Sequence, residues 1–166
     1  MNNISNQIQR PSLNKENIDR TEPSFVRIVD EYYKWSSAHD SVEREELEKD
    51  IINCILSYYI DGFELAKELE RDVHITGDSE LVDILDGISY TKDRQLKILI
   101  GKWVKDNNLT IPDDVIGKKV CVTQNFRTYN NHFITKIKPE TYEVCISDKI
   151  DTQGGFIIKY ENIKFV

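Results

Sequence analysis

The sequence predicts an α+β protein: an N-terminal helical bundle followed by a small antiparallel β-barrel. Two observations carry this. The spacing of apolar residues changes from about 3.6 to 2 just after Pro112. The charge changes with it. Residues 1–114 hold 14 Lys/Arg against 24 Asp/Glu, and residues 115–166 hold 8 against 5. The chain as a whole has a net charge of −7, with 39% hydrophobic and 31% charged residues, enough for a packed core.

Residues 1–21 are rich in Asn, Gln and Ser and have no apolar period, so they read as a mobile tail. Pro23 suits a first helical turn. Phe25, Ile28, Val29, Tyr32 and Tyr33 then recur at helical spacing. Asp40 and Glu43 resemble a capping pair for a second helix, whose stripe runs through Leu47, Ile51, Ile52, Ile55, Leu56 and Tyr59. After the break at Asp61-Gly62, the residues Phe63, Leu65, Ala66 and Leu69 support a third helix. Asp78 can cap a fourth, which carries Leu81, Val82 and Leu85 and which Gly87 ends. Thr91 can cap a fifth, with Leu96, Leu99, Ile100, Trp103 and Val104 on one face and Asn107-Asn108 at its end.

Strand-like alternation follows at Lys118 to Thr123, Phe133 to Ile137, Thr141 to Ser147, Phe156 to Tyr160 and Ile163 to Val166. Five short strands suggest closure, which removes exposed edges. Gly117 before the first strand, the meander, Gly154-Gly155 and a last strand after Glu161-Asn162 resemble SH3-like barrels. The expected organisation is a tail at 1–21, a helical bundle at 22–110 and an SH3-like barrel at 115–166. About 50 residues make a marginal core alone, so the two parts are expected to pack as one unit.

Chemistry is sparse. His39, His74 and His132 form no metal-binding spacing, so no metal and no cofactor is expected. The glycines make no phosphate loop, and no nucleophile signature appears. Cys54 sits beside the stripe of the second helix and reads as a packed, inert thiol. Cys121 and Cys145 fall on strands that are not neighbours, on the face opposite the valines, so a bridge between them is not expected. The chain is expected not to be an enzyme. No apolar run approaches the roughly 20 residues of a membrane span, and Met1 to Ser12 lacks the apolar stretch of a signal peptide. A cytoplasmic protein is the expectation.

The positive signal is acidic. Residues 61–86 hold nine acids against Lys67 and Arg71. Glu64, Glu68 and Asp72 recur every fourth residue and so share a helical face, where like charges cost stability. With Asp78, Asp83 and Asp86 they form a candidate docking surface for a basic protein. Ordinary solvated helix faces are the plain alternative. A second surface is suggested by Phe126, Arg127, Tyr129 and His132, with Phe133, Lys136 and Lys138 beyond. Aromatics among basic groups can stack on single-stranded nucleic acid, although Phe133 and Tyr129 read more simply as core residues. An acidic chain of pI about 5.0 makes nucleic acid the less favoured partner.

The run Asp61-Gly62-Phe63-Glu64-Leu65-Ala66-Lys67-Glu68-Leu69, with Glu80-Leu81-Val82-Asp83-Ile84-Leu85-Asp86, resembles segments of small bacterial immunity proteins that act against polymorphic toxins, including those of contact-dependent growth inhibition. The resemblance implies a mode of action: stoichiometric occlusion of one cognate toxin domain, in many cases a basic nuclease. The alternative function is a nucleic-acid- or ribosome-associated adaptor using the barrel.

Overall fold

The computed structural model describes residues 9–39, 43–58, 61–73, 76–124, 127–150 and 155–166. The chain divides into a helical unit, Ser12–Leu99, and a sheet unit made of Ile100–Val166 together with the N-terminal stretch up to Pro11. Both are built as the sequence order suggests, helices first and an antiparallel sheet last.

In the helical unit, α1 spans Pro23–His39, α2 Arg44–Leu56, α3 Gly62–Val73 and α4 Ser79–Asp86, and α5 (Ile88–Asp106) carries the chain into the sheet unit. The core is the set of apolar stripes: Phe25, Ile28 and Tyr32 of α1, Leu47, Ile51 and Ile55 of α2, Leu65 of α3, Leu81 and Leu85 of α4, and Ile88. The α1 entry is fixed by Glu22, whose buried carboxylate accepts the N–H groups of Ser24 (2.8 Å) and Phe25 (3.2 Å), the Ser24 hydroxyl, and Arg94 Nε (3.3 Å). Burial works against the charged form of Glu22, yet these bonds outweigh it and hold the carboxyl below its ordinary value.

Two expected helix starts are corrected. Glu43, not Asp40, is the N-cap position of α2, and its side chain makes no capping bond; Asp40 and Tyr59 lie outside the described residues. Thr91 does not open α5, which begins three residues earlier, because Gly87 keeps a right-handed helical conformation (φ −67°) and the chain re-enters a helix at once. Thr91 is instead buried within α5. The Asp78 cap stands as expected, with its carboxylate accepting from Leu81 N at 2.9 Å. At the far end of α5, Asn108 takes the left-handed conformation (φ 50°), and the Asn107 amide donates to Trp103 O.

The stretch read as a tail is held at several points. Ile18 is buried in the helical core, and Gln95 bonds both the N–H and the C=O of Asp19. Residues 1–8 lie outside the described residues.

In the sheet unit, β1 is Lys119–Gln124, β2 Arg127–Lys138, β3 Glu143–Ser147, β4 Phe156–Lys159 and β5 Ile163–Phe165. The order is β4-β3-β2-β1-β5, antiparallel throughout. The expected closure is corrected: β4 and β5 are the two outer strands and do not pair, so the sheet is open. Val120, Val122, Ile134, Val144, Ile146 and Ile158 share one face and form the core. Gly117 (φ +80°) turns the chain into β1 in a conformation that a side chain resists. Cys121 and Cys145 lie on the other face of β1 and β3, with β2 between them, and are free thiols.

Candidate functional site

The α3–α4 pair is built around one close approach. Gly62 opens α3 against the end of α4, and a Cβ there would lie 2.4 Å from Val82 O and 2.8 Å from Asp86 N. Its own N–H donates to the Asp86 carboxylate at 2.8 Å. Asp61 accepts from the next two amides, Phe63 N at 3.0 Å and Glu64 N at 3.2 Å. Two carboxylates therefore sit at the N-terminus of α3, where unpaired amides and the helix dipole favour negative charge.

The same use recurs across the pair. Asp78 caps α4 and also accepts from Trp35 Nε1 at 3.0 Å. Glu70 accepts the Gly77 N–H at 2.7 Å and ties the end of α3 to the turn before α4. Glu68 accepts the Ser57 hydroxyl at 2.9 Å and lies 4.0 Å from Arg71. Glu64 pairs with Lys67 at 3.3 Å. Asp83 is exposed and has no hydrogen bond or ion pair among the described residues. Asp72 lies on α3; its side chain is not among those described.

Between α3 and α4 runs a groove of about 620 Å³, lined among others by Phe63, Ala66 and Val82 on its apolar side and by Glu70, Asp78 and Asp83 on its acidic side. Phe63, one of the apolar residues that mark the third helix in the sequence, is 54% exposed. Its ring is covered by the Lys67 ammonium, 4.1 Å from the centroid. The groove brings together Asp78 and Asp83 from the expected set. Glu64, Glu68 and Asp86 do not line it. Sequence reading missed Phe63, Ala66 and Glu70 as groove residues. Their spacing of three and four was the available signal, but Ala66 also belongs to the core with Leu65 and Leu69, so spacing alone does not set the groove apart.

The second candidate surface is rearranged. Phe126 lies outside the described residues, and Arg127 is exposed at the start of β2. Tyr129 stands opposite Val122 and His132 opposite Val120, so both rings are on the core side of the sheet, at its rim. They meet edge to face at 5.7 Å between centroids, and Phe156 of β4 joins them at 4.9 Å from Tyr129. His132 Nδ1 is 3.0 Å from Asn130 O, which suits an Nδ1–H donor. Phe156, 52% exposed, was not foreseen, because the partner of a β2 ring across two strands is set by register. Lys136 and Lys138 pair with Cys145 and Glu143, which places them on the opposite face. Lys119, Lys159 and Lys164 share that face, and among the described residues none of these lysines has an ion-pair partner.

No protein-family model, curated protein or solved structure matches the chain.

The interior offers reactive groups that are held quiet. Burial, with the charges of Glu68 and Asp50 nearby, pushes the Cys54 thiol up to about 12, so it is protonated at neutral pH. Burial likewise raises Tyr32 and, with Glu46 beside it, Asp50. Among the described residues no three His, Cys, Asp or Glu side chains are grouped as metal ligands, and no helix is long and apolar enough to cross a membrane.

Proposed function

We propose that the chain is a binding protein of the immunity type, which neutralises a cognate toxin domain by occupying it stoichiometrically. The observation that carries this reading is the α3–α4 groove: an exposed Phe63 on its apolar side and unneutralised acid in Asp83 along its rim. That combination suits a cationic protein segment with an apolar anchor. Charge speeds encounter, and the desolvated anchor slows release. Among the described acids that line the groove, Asp83 is the one without a hydrogen bond or ion pair and is the acid placed to meet Lys or Arg. Asp78, Glu68 and Asp86 hold the surface in shape. The proposed partner is a basic toxin of the nuclease class, and the proposed compartment is the bacterial cytoplasm. No catalytic step is assigned to the chain.

The sheet order, with a one-turn 3-10 helix at Tyr160–Asn162 between β4 and β5, supports reading the sheet as an SH3-like barrel left open at that junction.

The test is a titration against the product of the adjacent upstream gene at several salt concentrations. The expected result is a one-to-one complex at low micromolar concentration or tighter, weakened by salt and by Asp83→Lys. No complex at low salt, or a product without toxicity, overturns the reading.

A second reading is favoured by one specific feature, the lysines 119, 136, 138, 159 and 164, without ion-pair partners among the described residues, against Glu143 on the outer sheet face. That face suits a nucleic-acid backbone, and the chain would then be an adaptor. A gel-shift panel of short RNA and DNA decides it: no shift at low salt removes it.

A further inference from the structure

The sheet unit contains a pocket made for a guanidinium, and the chain's own Arg10 sits in it. Arg10 Nε donates to Glu161 Oε1 at 2.7 Å. Its Nη2 donates to the carbonyl oxygens of Thr141 (2.9 Å) and Tyr142 (3.0 Å) and reaches Glu161 Oε2 at 3.4 Å. The plane lies over Trp103, 5.6 Å from the ring centroid. A forked carboxylate, two carbonyls and an aromatic face match arginine and not lysine.

The pocket is shaped by the sheet unit itself. Tyr142 adopts the left-handed conformation (φ 51°) after the one-turn helix at Pro139–Thr141, a strained choice for a bulky residue that accompanies its carbonyl's aim at the guanidinium. Its ring packs edge-on to both Trp103 (5.9 Å) and Tyr160 (5.3 Å). Glu143 is steadied by the Thr141 hydroxyl at 2.7 Å and stands 3.8 Å from Arg10 Nη1.

Two features argue that Arg10 is a replaceable occupant. First, among the described residues every hydrogen bond from residues 9–11 to the sheet unit runs through this one guanidinium. Second, the fit is incomplete. The Arg10 side chain is only 8% exposed, yet its Nη1 has no hydrogen-bond partner among the described residues, and neither does the buried Trp103 Nε1. Orphaned buried donors are costly, so the seat holds Arg10 less tightly than its burial alone suggests.

We propose that this pocket is a recognition site for an arginine side chain of a partner protein, held closed by the N-terminal strap through Arg10. The strap acts as a tethered competitor at an effective concentration on the order of millimolar. A partner's arginine enters only when it brings further contacts that outweigh this. The inference is independent of the α3–α4 groove, and its test needs no protein partner.

The probe is N-acetyl-arginine amide, with N-acetyl-lysine amide as control, added to the full-length chain carrying Trp35→Phe so that emission reports Trp103 alone. The expected result is a saturable emission change with the arginine probe in an Arg10→Ala variant. The same variant gains on the order of 2–4 °C in Tm. The lysine probe, the chain with Arg10 intact, and an Arg10→Ala/Glu161→Gln variant show neither effect. Equal responses to both probes, or none in a folded Arg10→Ala variant, overturn the proposal and leave Arg10 a structural tie. Should Arg10→Ala not fold, refolding with each probe decides: recovery with arginine only supports the proposal, and recovery with neither or with both overturns it.

Discussion

The acids of α3–α4 and the lysines of the sheet differ in what they are bound to. Asp61, Glu70, Asp78 and Asp86 each accept a backbone amide at a helix end or turn. The lysines 119, 136, 138, 159 and 164 alternate outward along strands whose backbone groups are engaged in the ladder, and no ion pair ties them down among the described residues. A count of charge along the chain treats the two alike. The difference teaches that segment charge overstates what a partner meets when short helices consume carboxylates as caps, and reports it faithfully when strands carry the charge.

That comparison can be broken most sharply at Gly62. A methyl group there meets Val82 O and Asp86 N. It must part the helix ends that let Asp86 cap α3. Gly62→Ala is expected to cost about 2–3 kcal/mol in urea unfolding and to weaken partner binding through the deformed groove.

Glu22 supplies the next effect, and it depends on pH. Its folded pKa lies below the ordinary 4.5, so the stability it contributes is present above that value and is lost as pH falls through the folded value. Glu22→Gln is expected to cost roughly 1–3 kcal/mol at pH 7. The gap from the unsubstituted chain should narrow on acidification toward pH 3. A gap that is constant from pH 7 to pH 3 breaks the account of this cap.

Within the groove the capping and free acids should separate. Asp78→Ala removes a helix cap and the Trp35 bond, and should cost about 1–2 kcal/mol of stability. Asp83→Ala should change stability by less than about 0.5 kcal/mol while weakening the partner. Equal stability losses at the two positions would erase the distinction. The smallest effect is expected on the sheet: Lys136→Ala should change stability by less than about 0.5 kcal/mol and leave the binding of a cationic partner untouched.

Much of the fold was legible because its signals are local. Pro23, the Asp78 cap and the Leu47–Ile55 stripe rest on neighbours within a few residues, and so do the alternating valines of β1. What escaped depends on distant partners. Whether Gly87 stops a helix or merely bends it depends on which φ the packing selects. The Thr91 cap failed for that reason. Strand alternation cannot say whether the first and last edges meet, and β4 and β5 do not. In the candidate site, Asp78 and Asp83 were legible as acids, but the exposure of Phe63 was not, since tertiary packing buries Leu65, Ala66 and Leu69 of the same apolar set and leaves Phe63 outside. Tyr129, His132 and Phe156 converge through the register of three strands, which no local pattern encodes.

The central claim, that the α3–α4 groove receives a cationic protein segment, is tested most directly by calorimetric titration of the upstream-neighbour product into the unsubstituted, Asp83→Lys and Lys136→Glu chains at low and high salt. The account predicts at least a tenfold loss of affinity for Asp83→Lys at low salt, a smaller loss at high salt, and no loss for Lys136→Glu. Unchanged affinity for Asp83→Lys with a loss for Lys136→Glu would contradict it and move the interface to the sheet.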